Sequence, residues 1–279
     1  DMRALGIVLA GGNSRKMGEL SRKRAISAMP IAGSYRSIDF VLSNMSNSHI
    51  QKVAVITQYN SRSLHEHLSS SKWWDFGRKQ GGLYVFAPTI TNENNSWYRG
   101  TADSIYQNID WLRECHEPYV IISSGDCVYK MNYEKLLDYH IEKKADITIV
   151  CKEMSEDTDI SRFGVVTMDE DGRITAMEEK PMISDSRTVS CGIYVIRRRQ
   201  LIELLEKCAE ENLYDFVKDV LIRYKNFKRI YGYKIKDYWS NIATVEDYFR
   251  TNMDFLRPEV RGHFFKEYPE ICTKVSDLP

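Results

Sequence analysis

Leu5-Gly6-Ile7-Val8-Leu9-Ala10 is an unbroken apolar run that ends on Gly11-Gly12. Without polar alternation, such a run predicts a strand buried on both faces, as in a parallel sheet covered by helices. Ile38, Val41, Leu42 and Met45 then fall at i, i+3, i+4 and i+7, the apolar stripe of a helix, and Lys52 to Thr57 reads as a Val/Ile-rich strand. The alternation continues. Ile105, Ile109 and Leu112 mark a helix, Tyr119 to Ser123 a strand, Leu136, Leu137 and Ile141 a helix, and Asp146 to Lys152 a strand. Strands alternating with helices predict an α/β fold of the doubly wound kind, with a predominantly parallel sheet flanked by helices.

From Gly164 the pattern changes. Gly164 to Asp169 and Arg173 to Glu179 flank Glu170-Asp171-Gly172, whose Asp-Gly favours a hairpin turn, and the acidic run Asp169-Glu170-Asp171 reads as solvated turn rather than metal motif. Cys191 to Ile196 predicts another strand, followed by helices near Gln200 to Lys207 and Phe216 to Tyr224. Val245 to Leu256 reads as a final helix. Arg257 to Pro279 carries three prolines and little periodicity, so residues 1–256 are expected to form one domain and 257–279 a linker.

Composition narrows the function. At 279 residues with 43% hydrophobic and 28% charged residues, the chain is an ordinary globular sequence. Its 39 basic and 39 acidic residues cancel, which disfavours a broad nucleic-acid or membrane surface but leaves room for a local basic pocket. The six cysteines are dispersed without a C-x-x-C pair, so neither a zinc site nor a disulfide framework is expected, and free thiols in a reducing cytoplasm fit best. No run approaches the ~18 apolar residues of a membrane span.

The chemistry starts at the first loop. Gly11-Gly12 follows a buried strand, where open α/β sheets bind ligands, and two residues without side chains let backbone amides approach an oxyanion. Arg15 and Lys16 add positive charge. Neither G-x-G-x-x-G nor G-x-x-x-x-G-K-[ST] fits Gly11 to Gly18, which removes the main support for a dinucleotide fingerprint or a P-loop. Ser123-Ser124-Gly125-Asp126 places a carboxylate after another buried strand. If the two strands are neighbours, Asp126 faces the phosphate loop and suits Mg²⁺ bridging two phosphates; the alternative is an Asp capping the next helix. Glu178-Glu179-Lys180-Pro181 sets a carboxylate beside an ammonium, for sugar hydroxyls and a phosphate or as an exposed ion pair. Trp97-Tyr98-Arg99-Gly100-Thr101-Ala102-Asp103 joins an aromatic pair to a small-residue helix start, and Tyr238-Trp239-Ser240-Asn241 completes the set. His65-Glu66-His67 lacks the H-E-x-x-H spacing and reads as surface histidines.

In this order these segments resemble the nucleotidyltransferase domain of ADP-glucose pyrophosphorylase, the glucose-1-phosphate adenylyltransferase of glycogen and starch synthesis. The resemblance rests on Leu9-Ala10-Gly11-Gly12, Lys23-Arg24-Ala25, Tyr35 to Phe40, Leu42-Ser43-Asn44, Ile56 to Tyr59, Trp97 to Asp103, Gly125-Asp126, Phe163-Gly164-Val165, Glu179-Lys180-Pro181 and Gly192 to Val195. It implies the Rossmann-like fold of nucleotide-diphospho-sugar transferases, with the family's C-terminal left-handed β-helix absent from this chain. It further implies Gly11, Gly12, Gln58 and Tyr98 at ATP, Asp126 on a catalytic Mg²⁺, and Glu179, Lys180 and Ser190 at glucose 1-phosphate. The implied reaction is in-line attack of the sugar phosphate on the α-phosphorus of ATP, releasing pyrophosphate, a chemistry of positioning and charge neutralisation without a protein nucleophile.

The departures from that pattern share one direction. The family follows its double glycine with Arg-Gly-Thr-Arg; here Asn13 replaces the first arginine, and Lys16 keeps a charge at the second without the guanidinium fork. Ile26-Ser27 stands where the family has Lys-Pro. Asn241 stands where the family's Tyr-Trp-x-Asp-x-Gly segment has its second metal-binding aspartate. Losing one preorganised stabilising contact typically costs about 10²–10³ in rate. The depleted charge set resembles the D-type (GlgD-like) subunit of bacterial ADP-glucose pyrophosphorylase, which accompanies a catalytic subunit. Three readings stay open: a regulatory partner with little activity of its own, an active adenylyltransferase, and a sugar-phosphate sensor or purely structural subunit.

Overall fold

The computed structural model of the chain describes residues 3–10, 30–31, 35–57, 62–68, 82–87, 101–179, 185–216, 219, 221 and 228–271. In chain order the elements begin with β1 (Ala4–Ala10), β2 (Pro30–Ile31), β3 (Tyr35–Arg36), α1 (Ser37–Asn47), β4 (Lys52–Thr57), α2 (Arg62–Leu68) and β5 (Gly82–Phe86). There follow α3 (Thr101–Tyr106), α4 (Ile109–Glu114), β6 (Tyr119–Ser124), β7 (Cys127–Tyr129), α5 (Tyr133–Glu142) and β8 (Ile147–Glu153). The last are β9 (Gly164–Met168), β10 (Ile174–Glu179), β11 (Thr188–Arg197), α6 (Arg198–Glu210), β12 (Ile230–Ile235), β13 (Trp239–Asn241), α7 (Val245–Asp254) and α8 (Pro258–Phe265).

The chain divides into two compact units. One comprises Asp1–Trp97, Ser123–Tyr133 and Asp237–Pro279, the other Tyr98–Ile122 and Glu134–Lys236. In the first unit β1, β4 and β5 pair in parallel, with Gly6 opposite Val53 and Val53 opposite Leu83. A Cβ on Gly6 would lie 2.7 Å from the Met45 Sδ, so the missing side chain is what lets α1 press Met45 onto β1. α1 starts with Asp39 at its third residue, whose Oδ2 accepts the Arg36 amide at 2.9 Å, a carboxylate at the positive end of the helix. One core cluster of this unit gathers Ile31, Phe40, Val128, Ile242, Phe255, Val260, Phe264 and Ile271, with Phe40 and Phe264 edge to face at 5.2 Å.

In the second unit β9 pairs antiparallel with β10 and with β11, β11 pairs antiparallel with β8, and β12 joins β8 in parallel. α6 buries Leu201, Leu204, Leu205 and Cys208, a stripe at helical spacing. Asp169 closes the β9–β10 turn by accepting the Asp171 and Arg173 amides, 2.9 Å each, so the acidic run is the solvated turn expected of it.

Three local expectations change. The single helix expected around Ile105 to Leu112 is two, because the Asn108 side chain donates to the Ser104 carbonyl at 2.8 Å and competes with the helical ladder. The strand expected from Cys191 begins at Thr188. The tail read as linker from Arg257 contains α8, with Pro258 at its first position and Val260 and Phe264 buried. The helix expected at Phe216 to Tyr224 falls largely outside the described residues.

Candidate functional site

Gly125 donates to the Leu9 carbonyl at 2.8 Å, so the turn that carries Asp126 is bonded to the penultimate residue of β1, the strand that leads in sequence into Gly11-Gly12. This is the neighbour relation that the sequence reading of Asp126 required. The Ser37 hydroxyl, at the start of α1, donates to the Gly125 carbonyl at 2.8 Å, and the Asp126 amide donates to Ser124 Oγ at 3.2 Å. Asp126 is largely buried. The next element is β7 rather than a helix, so the helix-capping alternative falls away.

β7 pairs antiparallel with β13, placing Trp239 opposite Tyr129, Ser240 opposite Val128 and Asn241 opposite Cys127. The Ile242 amide donates to the Asp126 carbonyl at 2.9 Å. The backbones of Asp126 and of Asn241-Ile242, more than a hundred residues apart in sequence, therefore lie side by side at one end of this short ladder. Burial, reinforced by the Asp126 charge, pushes the Cys127 thiol up to about 12, which keeps it protonated at neutral pH and removes it as a nucleophile or thiolate ligand. Among the described residues no group of three or more His, Cys, Asp or Glu is placed to hold a metal ion. A carboxylate and an amide oxygen are hard donors, of the type that Mg²⁺ takes alongside water and phosphate oxygens.

The ladder is anchored from below. Asn44 in α1 donates to the Tyr129 carbonyl at 2.9 Å and accepts the Met131 amide at 3.0 Å. Tyr129 Oη and Ser123 Oγ share a 2.7 Å hydrogen bond, and the Tyr133 hydroxyl joins Tyr129 to form a buried chain of three. Burial raises both tyrosine pKa values, so these hydroxyls stay neutral.

In the second unit Glu179 pairs with Gly164 across β9, and Val189 pairs with Val165. A Cβ on Gly164 would stand 3.8 Å from the Ser190 Cβ, which places Glu179 and Ser190 on strands flanking one glycine. The register of β11 against β8 shifts between Ser190 and Tyr194, and Gly192 there has φ +73°, a conformation few side chains tolerate. The Gly192 amide donates to Ser190 Oγ at 3.4 Å. This irregularity, at the start of Gly192-Ile193-Tyr194-Val195, re-aims the strand beside Ser190. Gly11, Gly12, Asn13, Lys16, Ile26, Gln58, Tyr98 and Lys180 lie outside the described residues.

Sequence reasoning missed one buried pair. His67, expected at the surface, is buried, and its Nε2 lies 2.5 Å from Asp39 Oδ1. The signal was available: His67 follows Leu64 by three residues on a helix whose Leu64 and Leu68 are buried.

Comparison with known proteins follows the same lines. Residues 5–257 match the nucleotidyl transferase family. A glucose-1-phosphate adenylyltransferase of Thermosipho melanesiensis is 37% identical over 277 residues, covering 99% of this chain and 67% of the relative. One of Lachnospira eligens is 39% identical over 276 residues, covering 99% and 65%, and one of Bacillus thuringiensis is 40% identical over 260 residues, covering 92% and 69%. The chain thus spans about two thirds of the length of these relatives. A solved structure from Bacillus anthracis, described as a glucose-1-phosphate thymidylyltransferase in complex with sucrose, superposes with a TM-score of 0.73 over 90% of this chain and 94% of its own, at 17% identity, a likeness of fold.

Proposed function

The chain belongs to the nucleotidyl transferase family, and within it to the ADP-glucose pyrophosphorylase family; we propose that it is a regulatory partner of a catalytic ADP-glucose pyrophosphorylase subunit, with little or no turnover of its own. The observation that carries this reading is Asn241, an amide at the family's second aspartate position, next to the retained Asp126. An amide carbonyl still binds Mg²⁺ but brings no charge, so the pair holds the cation more weakly than two carboxylates do. Bound there, Mg²⁺ supplies Lewis-acid neutralisation of phosphate charge. Asp126 would hold it, while Glu179, Lys180 and Ser190 would orient glucose 1-phosphate and Gly11, Gly12, Gln58 and Tyr98 the nucleotide. Asn13 and Ile26 remove cationic groups from the same chemistry. A cytoplasmic setting belongs to this proposal. It is supported by Cys115, Cys127, Cys151, Cys191 and Cys208, which are buried and not joined in disulfides.

The names of the relatives favour a second reading, an active adenylyltransferase in which Arg15 and Lys16 compensate. One assay separates the two: ADP-glucose formation from ATP and glucose 1-phosphate by the intact protein, alone and with a catalytic relative. The regulatory reading expects little product from the protein alone and altered turnover of the mixture. Asn241→Asp, combined with Asn13→Arg and Ile26→Lys, is expected to raise product formation by about 10²-fold or more. Robust turnover by the unaltered protein, abolished by Asp126→Asn, establishes the second reading instead.

A further inference from the structure

We propose that Lys130 is a positioning residue for Asp126: its ammonium ties the C-terminal end of α8 to the β7–β13 ladder, so that displacement of the segment following α8 is felt at the carboxylate. Lys130 Nζ donates to the His263 carbonyl and to the Glu267 carbonyl, 2.7 Å each. His263 lies in the last turn of α8, where carbonyls have no partner within the helix and the helix dipole is negative, so an ammonium is the fitting cap. Glu267, Asp237 and Glu270 add negative charge around it.

At its other end Lys130 has no slack. It follows Tyr129, the last residue of β7, which pairs with Trp239. The Asn44 side chain holds the Tyr129 carbonyl on one side of Lys130 and the Met131 amide on the other. The chain beyond α8 folds back through Ile271, whose amide donates to the Phe264 carbonyl at 2.9 Å, and through the Glu270 carbonyl, which accepts Asn47 Nδ2 at 3.1 Å. Residues 266–271 are therefore attached to α8, to α1 and, through Lys130, to the strand that opens one residue after Asp126. A change in that segment moves the Glu267 carbonyl directly and, through its bonds to Gly262 and Phe264, the helix end that carries the His263 carbonyl, and the pinned backbone of residues 129–131 passes the change into the ladder.

The inference rests on the reading of Asp126 as a cation-binding carboxylate only for its functional consequence; the mechanical link stands without it. The test compares Lys130→Met, which keeps the stem and loses the donors, with Lys130→Arg, which keeps donors, in the intact protein. Backbone hydrogen exchange is measured over residues 126–131, 239–242 and 263–267, and Mn²⁺ binding by electron paramagnetic resonance. Lys130→Met is expected to speed exchange in all three segments and weaken Mn²⁺ binding about tenfold, with β8 and β12 unchanged and Lys130→Arg close to the unaltered protein. Faster exchange confined to residues 263–267, with unaltered Mn²⁺ binding, overturns the proposal, as does failure of Lys130→Arg to restore the ladder. If the unaltered protein binds no Mn²⁺, the reading of Asp126 fails, and ladder exchange alone decides the role of Lys130. Should Lys130→Met not fold, Lys130→Gln serves in its place under the same criteria.

Discussion

The two units treat polar groups differently. In the first, buried polar side chains bond across long stretches of sequence onto one segment: Ser37 onto the Gly125 carbonyl, Asn44 onto the Tyr129 carbonyl, and Ser48 onto the Tyr133 amide at 2.9 Å. In the second, the ion pairs reach solvent, as Lys143 with Asp171 at 2.8 Å and Arg113 with Glu206 at 2.6 Å do, and the buried pair of note is His140 with Thr148 at 2.6 Å. A buried hydrogen bond adds modest net stability, but its loss is expensive when one partner is left unpaired. Concentrating such bonds on residues 123–133 fixes the position of Asp126, a demand that surface ion pairs cannot meet.

The contrast can be broken by substitution. The largest effect is expected at Asp39, where Asp39→Ala removes the buried carboxylate that faces His67 Nε2 and accepts the Arg36 amide, a loss of about 4 kcal/mol in urea unfolding. An unchanged unfolding midpoint would place the polar framework of the first unit elsewhere.

Next comes acid sensitivity in the second unit. Burial, with the Arg197 charge adding to it, lowers the His140 pKa to about 4. The unfolded chain takes up this proton near pH 6.5 and the folded chain only near pH 4. Stability from this group is therefore complete above pH 6.5 and declines as pH falls toward 4, by on the order of 3 kcal/mol in all. Unfolding measured between pH 7 and 4 should show this limb, and His140→Phe should flatten it.

The smallest effect is expected at Asp171. Its bond to Lys143 holds the carboxyl below the usual range, so any contribution is present above that range and is lost only as pH falls through the lowered value. Because the pair is solvent-facing, Asp171→Asn should leave the unfolding midpoint at pH 7 where it was. A shift as large as that of Asp39→Ala would erase the distinction between the units.

Much of this architecture is legible in the chain. The continuous apolar run of β1, the helical stripe from Ile38 to Met45 and the Asp-Gly of the β9–β10 hairpin are local signals, and each element forms where its signal lies. The Gly125-Asp126 turn was readable because it follows a buried strand. The pairing of Asn241 with Cys127 was not, since contact between segments so far apart leaves no trace in either one's periodicity. α8 escaped notice because a short helix with two buried positions, Val260 and Phe264, behind a proline shows too little repetition to register. Lys130 looks like any surface lysine until the helix end it caps is in place.

The buried thiols carry a practical consequence. Cys127 and Cys151 are each pushed up to about 12 by burial, so alkylating reagents find them both shielded and protonated in the native state. Pulse alkylation therefore works as a pair of clocks built into the chain. With each modified cysteine identified by mass, Cys127 times breathing of the strand beside Asp126, and Cys151 times opening of β8, without an engineered probe site.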